Sequence, residues 1–408
     1  MISEHASPLA ALGGADAGGQ NVHVAALAAA LGRCGHEVRV FTRCDDPGLT
    51  GVAQLAPGVM VEHVPAGPPR PVPKDNLHVH MPRFAGWLAD RWSASQPDVV
   101  HAHFWMSGLA AMTAASRHGM PVVQTFHALG SVKRRYQAAA DTSPPERLRT
   151  ESMIGQSAAA IIATCTDEVR ELTALGIAPD RMYVVPCGVD LLRFQPTATT
   201  RAADQPAGPP RILTIGRLVP RKGIDTVITA LADVPGAELI VVGGPAAVQL
   251  DHDPEVCRLR ETAGAAGVAG RVTFTGRVSH QDVPALMRSA SVVVSAPWYE
   301  PFGIVPLEAM ACGAAVIVSA VGGHLDTVAD GVTGLLVPPR DPAALAARLR
   351  LLLAEPGLRC SLSRAALHRI RSRYGWDTIA AQTAAVYGGL RERLPARPAA
   401  HAENGARS

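Results

Sequence analysis

Aromatic residues are scarce in this chain of 408 residues, at 4% of the sequence, and no block of lysine or arginine accompanies them. The formal net charge is only +3. Proteins that bind single-stranded nucleic acid use stacked aromatic rings and a basic groove that follows the backbone. The composition therefore argues against nucleic acid as a partner.

Two further absences concern membranes and disulfides. No apolar run approaches the roughly 20 residues that a membrane-spanning helix needs, and the opening MISEHASPLAALGG lacks the basic start of a signal peptide. The seven cysteines are scattered without a C-x-x-C pair, which is typical of reduced thiols. We therefore expect a cytoplasmic protein without an integral membrane segment. The sequence leaves the oligomeric state open.

Short β-branched runs alternate with alanine- and leucine-rich stretches, a pattern that predicts parallel sheets covered by helices. Ten strand-like runs fall into two sets of five, and each set is enough for one open sheet. The runs lie at 37–42, 98–103, 121–126, 159–164 and 182–186, then at 211–216, 238–244, 271–276, 291–296 and 315–320. The segment MIS lies shortly before the glycine-rich loop, so a first strand there is either very short or begins upstream of Met1.

The predicted fold is therefore α/β, with two doubly wound, Rossmann-like parallel-sheet domains that face each other across a deep cleft. The N-terminal domain would span 1–194, a proline- and alanine-rich linker 195–210, and the C-terminal domain 211–375. A helical stretch at 376–394 comes too late to complete the second sheet. The final residues, 395–408, are predicted to be a disordered tail.

The stretch WYEPFGIVPLEAMACG, at 298–313, places two acids beside an apolar loop where a strand gives way to a helix. Pro306 suits the first helical position, and Glu308 would then lie in the first turn. Free N–H groups at a helix start can bind phosphate or sugar oxygens, here those of Gly303, Ile304 and Val305. Glu308 could accept two hydroxyls of a ribose, and Glu300 hydroxyls of the attached group. The alternative is that both acids are solvated or complement the helix dipole.

A second candidate site is the basic loop that follows the candidate strand at 211–216, in TIGRLVPRKGID at 214–225. A helix is predicted to begin near Ile224, which leaves Arg217 and Lys222 on the loop. Two cations suit a diphosphate, since arginine offers a planar fork and lysine a mobile point charge. They would stabilise the charge that grows on a departing phosphate. The alternative is an ordinary exposed basic turn.

The N-terminal loop GGADAGGQNVHV, at 13–24, has glycines that permit close approach of a ligand, and the apolar run after Asn21 predicts a helix. Its spacing does not fit G-x-G-x-x-G, which disfavours a nicotinamide dehydrogenase.

Histidines at four positions (His78, His80, His101 and His103) offer no convincing third ligand, so a zinc site is disfavoured. His127 ends a buried strand, where a packed histidine is the usual explanation. Its place in the predicted cleft favours a functional role.

Taken together, E-P-F-G-x-x-x-x-E-A at 300–309, G-R-x-x-x-x-K-G at 216–223 and G-G-Q-N at 18–21 resemble the retaining glycosyltransferases of family 4, which have the GT-B fold. The resemblance covers nearly the whole chain, 1–390. It implies an enzyme that uses a nucleoside diphosphate sugar as donor.

The resemblance also implies roles for matching residues. Arg217 and Lys222 would hold the donor diphosphate and Glu308 the ribose. Glu300 would hold the donor sugar with the backbone amides of Gly303, Ile304 and Val305. Gly18 and Gly19 would approach the phosphate and the acceptor from the other domain.

His127 would lie against the donor sugar near the reacting carbon, so that His127, Arg217, Lys222 and Glu300 form the candidate catalytic set. The helix at 376–394 would cross back onto the N-terminal domain.

A narrower resemblance rests on GADAGGQNVHV, PDVVHAHFWMSG and VPKDNL. These segments are similar to the inositol-phosphate N-acetylglucosaminyltransferases of mycothiol synthesis and to the sucrose-phosphate synthases. The former recognise the acceptor phosphate with an asparagine, a lysine, a tyrosine, a threonine and an arginine. Asn21 and Lys74 match the first two.

Two of those five positions depart from the pattern, since Phe104 and Ala128 stand where tyrosine and threonine are expected. The arginine is either Arg147 or Arg149. The candidate acceptor-binding residues are therefore Asn21, Lys74, Phe104 and Arg147. Because two hydroxyl donors are missing, we expect an acceptor other than inositol phosphate.

The expected reaction moves a hexosyl unit from a nucleoside diphosphate sugar, with UDP favoured, to a hydroxyl of a small polyol, cyclitol or sugar, with retention at the anomeric carbon. No D-x-D motif stands in the predicted cleft, so no metal is expected to be required, although Mg²⁺ could bind the free nucleotide. Two alternatives stay open: a nucleotide-sugar 2-epimerase on a similar fold, and a catalytically idle nucleotide-sugar-binding protein.

Overall fold

The computed structural model describes residues 1–10, 18–49, 51–197 and 208–393. Most of the expected linker, the start of the glycine-rich loop and the whole of the expected tail lie outside these residues. Among the described helices, none is long and apolar enough to cross a bilayer.

The first half of the chain forms seven of the described strands: β1 (Val38–Arg43), β2 (Val52–Ala56), β3 (Val59–Val64), β4 (Val100–His103), β5 (Val122–Thr125), β6 (Ala160–Ala163) and β7 (Met182–Val184). They pair in the orders β2-β3-β1 and β4-β5-β6-β7. Ile2 makes parallel bridges to both Phe41 and Ala102, and so joins β1 to β4. The short MIS segment thus completes one continuous sheet.

The five runs predicted for this half are strands, but two further strands were missed. Strand β2 pairs antiparallel with β3, so the sheet is not wholly parallel. The two strands form an edge hairpin that turns at Pro57 and Gly58. A hairpin at a sheet edge needs no helical crossover, and the expected strand–helix alternation therefore passes over it.

Among the described residues, the first half of the chain contributes six α-helices to this sheet: α1 (Gly19–Arg33), α2 (Met81–Ala94), α3 (Trp105–Ala115), α4 (Gly130–Gln137), α5 (Arg147–Ser157) and α6 (Thr166–Ala174). The central strands β4, β5 and β6 are buried along their whole length, because helices cover both faces of the sheet.

The second half of the chain forms the strands β8 (Arg211–Ile215), β9 (Glu238–Val242), β10 (Val272–Gly276), β11 (Val292–Ser295), β12 (Val316–Ser319) and β13 (Leu335–Val337). Their order is β10-β9-β8-β11-β12-β13, and all pairs are parallel. The five predicted runs are confirmed. The sixth strand, β13, has three residues and is too short to show a pattern in the sequence.

The helices of this half are α7 (Ile224–Ala230), α8 (Pro254–Ala265), α9 (Val283–Ser289), α10 (Ile304–Ala311), α11 (His324–Thr327), α12 (Pro342–Ala354), α13 (Pro356–Arg373) and α14 (Trp376–Arg393). The predicted helix start near Ile224 is confirmed.

The last helix, α14, packs against α1 of the first half. Trp376, Ile379 and Ala380 share a buried apolar cluster with Val24 and Leu27 of α1. Farther along α14, the Tyr387 hydroxyl lies 2.6 Å from Nδ1 of His101 on β4. We therefore propose that α14 belongs to the N-terminal domain, although it follows the second sheet in sequence.

Candidate active site

The carboxyl ends of the parallel strands in both sheets face a shared cleft, with a cavity of about 630 Å³. Ligands of doubly wound sheets bind at this edge. Residues predicted from the sequence form much of the wall: Gly18, Gly19, Asn21, Lys74, Phe104, His127, Arg147, Arg217, Lys222, Glu300, Ile304, Val305 and Glu308. The structure thus brings the predicted residues together, and their roles remain predictions.

The acidic loop leads into helix α10 at Ile304, directly after Gly303. Gly303 has a φ of 76°, and a Cβ there would lie 2.8 Å from Cδ2 of His324. Both the backbone angle and the space therefore require glycine. The first N–H groups of a helix have no acceptor within it, so those of Ile304 and Val305 can serve an anion in the cleft.

Two details of the predicted helix start are wrong. Pro306 is the third residue of α10, not the first, and Glu308 is the fifth, so it lies in the second turn. Proline is tolerated at the third position because the N–H that it lacks would have no helical acceptor there. Glu308 still lines the cleft, since helical side chains lean towards the N-terminus.

Lys222 and Glu300 form an ion pair in the cleft, with 2.5 Å between Nζ and Oε2. Burial alone would raise the pKa of Glu300, but Lys222 above all, with His324 and Arg221, lowers it to about 2. Burial lowers the pKa of Lys222, and the charge of Glu300 opposes that effect. Glu300 is therefore a carboxylate at all ordinary pH values, and it holds the ammonium group in place.

Arg217 stands two residues beyond the end of β8 and lines the same cleft. Burial is the main cause that lowers the pKa of Lys222 and of Lys74, and the positive charge of Arg217 lowers both further. Arg217 and Lys222 thus line the same cavity and place two positive charges there. This placement supports the predicted diphosphate site.

Glu308, in the second turn of α10, is buried, with 7% of its surface exposed. Its Oε1 lies 3.3 Å from Nε2 of His280. Burial raises the pKa of Glu308, and the hydrogen bond and charge of His280 oppose the rise. A carboxylate can accept several hydrogen bonds at once, so Glu308 retains capacity for ligand hydroxyls.

His127 follows β5 in a left-handed conformation, with a φ of 62°. A non-glycine residue rarely adopts this angle without a packing or functional reason. Its Nε2 lies 2.9 Å from Nδ1 of His103, and its ring centre lies 5.1 Å from that of Phe302. Burial, with the nearby His23 and His101, lowers the pKa of His127 well below its usual value. The imidazole is therefore neutral.

The histidines considered above for zinc do not form a metal site in the described residues, where no group of three ligands is suitably placed. His101 instead contacts Thr125 Oγ1 through Nε2, at 2.9 Å, and Tyr387 through Nδ1. His103 is wholly buried against His127. Packing and hydrogen bonding account for these two side chains.

The described part of the glycine-rich loop ends in helix α1, which begins at Gly19, before the apolar run after Asn21 that predicted it. The Asn21 side chain closes the helix start, since Oδ1 accepts from the Gly18 N–H at 3.1 Å and Nδ2 donates to the Ser7 carbonyl at 3.0 Å. A Cβ on Gly19 would lie 3.2 Å from Cδ1 of Ile304. The loop therefore meets the start of α10 across the cleft.

Phe104 contacts two cations in the N-terminal wall of the cleft. The Lys74 Nζ and the Arg147 Cζ are each 5.1 Å from the centre of its ring. Arg147 donates to Glu151 Oε1, to Ser143 Oγ and to the Ala128 carbonyl. Lys74 makes no hydrogen bond or ion pair within the described part of the chain. The Lys74 ammonium therefore keeps all its N–H donors available here.

The two arginines left open by the sequence occupy different positions. Arg147 is buried and lines the cleft, whereas Arg149 is exposed and is not part of the cavity wall. The two residues are two positions apart on α5 and so face different directions.

Sequence reasoning missed Lys133, which also lines the cleft. Its Nζ lies 3.3 Å from Asp75 Oδ2, 3.1 Å from Asp141 Oδ1 and 3.0 Å from Ser143 Oγ. One signal was available: the chain has three lysines, Lys74, Lys133 and Lys222, against 35 arginines. All three line the cleft.

His5 is a second residue of the cleft wall that the sequence did not reveal. Its Nδ1 lies 2.7 Å from Oε1 of the buried Glu4, and its ring packs edge-on against Phe104 at 4.9 Å. No motif marks this position, because its aromatic partner Phe104 is 99 residues away in the sequence and is brought to it by the fold.

Comparison with known families matches both halves of the chain. Residues 17–193 match the family described as Glycosyltransferase Family 4, and residues 198–369 match Glycosyl transferases group 1.

Two relatives carry the name D-inositol 3-phosphate glycosyltransferase. The protein from Acidothermus cellulolyticus is 38% identical over 95% of this chain and 89% of its own length. The protein from Xylanimonas cellulosilytica is 38% identical over 97% of this chain and 98% of its own. Among solved structures, sucrose-phosphate synthase from Thermosynechococcus elongatus superimposes with a TM-score of 0.87 at 33% identity, covering 96% of this chain and 98% of that one.

Proposed function

The chain belongs to glycosyltransferase family 4 and has the GT-B fold, and we propose that it moves a hexosyl unit from a nucleoside diphosphate sugar to a hydroxyl of a small polyol, cyclitol or sugar. UDP is the favoured nucleotide. The observation that carries this proposal is the Lys222–Glu300 pair beside Arg217, at the cleft edge where α10 begins.

The C-terminal wall would hold the donor. Arg217 and Lys222 would bind the diphosphate, and Glu308 would accept the two ribose hydroxyls. Glu300, kept ionised by Lys222, would accept hydroxyls of the hexose. The amides of Gly303, Ile304 and Val305 would add donors at the helix start.

The chemistry would occur on one face of the anomeric carbon. The bond from that carbon to the diphosphate oxygen breaks, and a bond to the acceptor oxygen forms on the same face, which retains the configuration. The acceptor proton passes to the departing diphosphate oxygen. Arg217 and Lys222 stabilise the charge on that oxygen, and this stabilisation is greatest in the transition state. His127, neutral and buried, would contact the donor sugar near the reacting carbon.

We propose an acceptor other than inositol phosphate. Phe104 and Ala128 both line the cleft and neither carries a side-chain hydroxyl. Arg147 already donates to three protein oxygens, so it has less capacity for a phosphate. These features favour an acceptor with less negative charge than a phosphate monoester.

Inositol 3-phosphate is the second candidate acceptor. The relatives named for it match more than nine-tenths of this chain, and Lys74 has unused donors beside Asn21 in the cleft. Direct comparison of acceptors decides between the two.

The test begins with thermal stabilisation by UDP-, GDP- and ADP-sugars, because a bound donor raises the melting temperature by mass action. The stabilising donor is then incubated with a panel of polyols, cyclitols, sugars and inositol 3-phosphate, and the anomeric configuration of the product is read by NMR. We expect transfer with retention. Inversion, or donor epimerised at C2 in the absence of acceptor, would contradict the proposal. Binding of donors without turnover of any acceptor would favour an idle binding protein.

We also propose that the protein acts in the cytoplasm and that catalysis requires no metal ion, since Arg217 and Lys222 supply the positive charge that a metal would otherwise bring to the diphosphate.

A further inference from the structure

Three side chains from distant parts of the sequence form a chain of hydrogen bonds that ends at Glu308. Arg193 lies in the segment that follows β7, His280 between β10 and α9, and Glu308 on α10. Nη1 of Arg193 is 2.5 Å from Nδ1 of His280, and Nε2 of His280 is 3.3 Å from Oε1 of Glu308. None of the roles assigned above uses Arg193 or His280.

The partners determine which nitrogen of His280 carries the proton. A guanidinium has N–H donors and no acceptor, so Nδ1 of His280 must offer its lone pair to Arg193. In a neutral imidazole the proton then sits on Nε2, where it is donated to the Glu308 carboxylate. Arg193 thus fixes His280 as a donor towards Glu308.

Packing fixes the position of the His280 ring as well. The buried Phe194 meets it edge-on, with 5.4 Å between ring centres. Arg193 is held in turn by Asp190, whose Oδ2 lies 4.0 Å from the Arg193 Nε. The imidazole is therefore restrained by a ring on its side and by a polar partner at each nitrogen.

The consequence for Glu308 is orientation. One bond from His280 to Oε1 fixes the plane of the carboxylate, and the second oxygen and the remaining lone pair of Oε1 stay available. The bond also favours the ionised form, in which both oxygens accept. A diol needs two acceptors at a fixed spacing.

We propose that His280 is a positioning residue, held in one tautomer by Arg193, which orients the Glu308 carboxylate for the two ribose hydroxyls of the donor nucleotide. This inference rests on the proposed role of Glu308 in binding ribose. In this arrangement His280 contributes to the affinity for the nucleotide, and it has no role in binding the hexose or the acceptor.

The test compares two ligands by isothermal titration calorimetry: UDP, and 2′,3′-dideoxyuridine 5′-diphosphate, which lacks both ribose hydroxyls. We expect His280→Ala to weaken UDP about tenfold, the loss of one charge-assisted contact. The affinity for the dideoxy ligand should change less than about twofold, because this ligand has no hydroxyls for Glu308 to bind. Its unchanged binding also shows that the variant is folded.

Two further variants test the tautomer. His280→Gln, whose amide has a carbonyl for Arg193 and an N–H for Glu308, should bind UDP within about threefold of the unmodified protein. Arg193→Met should weaken UDP binding and spare the dideoxy ligand. If His280→Ala weakens both ligands equally, or if glutamine does no better than alanine, the positioning role is overturned.

The variant Glu308→Ala separates this inference from the proposed function. A selective loss of UDP binding in Glu308→Ala without one in His280→Ala would remove the positioning role alone. An equal loss of both ligands in Glu308→Ala would remove the ribose role itself and, with it, the inference.

Discussion

The Lys222 ammonium and the Glu300 carboxylate lie 2.5 Å apart, although 78 positions separate them in the sequence. Lys222 ends the loop after β8, and Glu300 stands in the loop after β11. Because β8 and β11 are neighbours in the sheet, their carboxyl ends bring the two residues together. In the proposed function, the pair would combine a cation for the diphosphate with an acceptor for the sugar.

Replacement of Lys222 by alanine should lower kcat/KM at least tenfold, about 1.4 kcal/mol or more of transition-state stabilisation. The ammonium would contact the leaving diphosphate, and its removal also leaves Glu300 without its partner. Steady-state kinetics with the stabilising donor measure the effect. Arg33→Ala, which removes an exposed ion pair with Asp377, is the control. Equal kinetics in the two variants would mean that the loop is ordinary surface.

Side-chain hydroxyls introduced at Phe104 and Ala128, where the resemblance expects tyrosine and threonine, should increase transfer to inositol 3-phosphate. The double variant Phe104→Tyr with Ala128→Thr adds two donors to the acceptor side, and we expect kcat/KM for this acceptor to rise about tenfold. The acceptor selected in the screen should not gain. Efficient transfer to inositol 3-phosphate by the unmodified protein would contradict the premise.

Gly223 should be required for stability both because its φ is positive and because a side chain there would collide with the backbone. A Cβ there would lie 1.9 Å from the Ala296 carbonyl oxygen. Gly236 is the matched control, since its φ of 75° resembles the 65° of Gly223 but no atom lies within 4 Å of its Cβ position. Gly236→Ala should cost about 1 kcal/mol in the free energy of unfolding. Gly223→Ala should cost at least about 2 kcal/mol more. Urea denaturation compares the two, and similar losses would refute the steric explanation.

The stability of the protein should fall as the pH drops below 6.5. Burial lowers the pKa of His23 to about 4, so between these values the unfolded chain binds a proton that the folded one does not. His23 therefore destabilises the fold by up to about 1.4 kcal/mol per pH unit in that window. His23→Gln should reduce the slope of unfolding free energy against pH by this amount. At pH 8 His23 is unprotonated in both the folded and the unfolded state. The difference in unfolding free energy between the variant and the unmodified protein at that pH therefore measures only the packing that the substitution removes. An unchanged slope would contradict the assignment.

Excess chelator should leave turnover largely intact, because two cationic side chains face the proposed diphosphate site. The assay is initial-rate transfer with EDTA present, and a magnesium titration follows on the same preparation. Turnover that disappears with chelator and returns with Mg²⁺ would show a required metal.

The sequence by itself determined the fold class and about a third of the residues that line the cleft. Ten β-branched runs predicted ten strands, because burial on both faces of a parallel strand demands continuous apolar residues. The motifs at 216–223 and 300–309 marked the C-terminal side of the cleft, since each combines a strand end, a glycine with positive φ and a charged side chain.

The tertiary structure decided what depends on neighbours distant in sequence. Arg147 lines the cleft and Arg149 does not, because the two side chains leave α5 in different directions. The Arg193–His280–Glu308 chain joins three segments that no spacing relates. Lys133 is recognisable once its carboxylate partners are in place. Local patterns report burial and turn chemistry, whereas hydrogen-bond partners across a cleft are set by how two sheets pack.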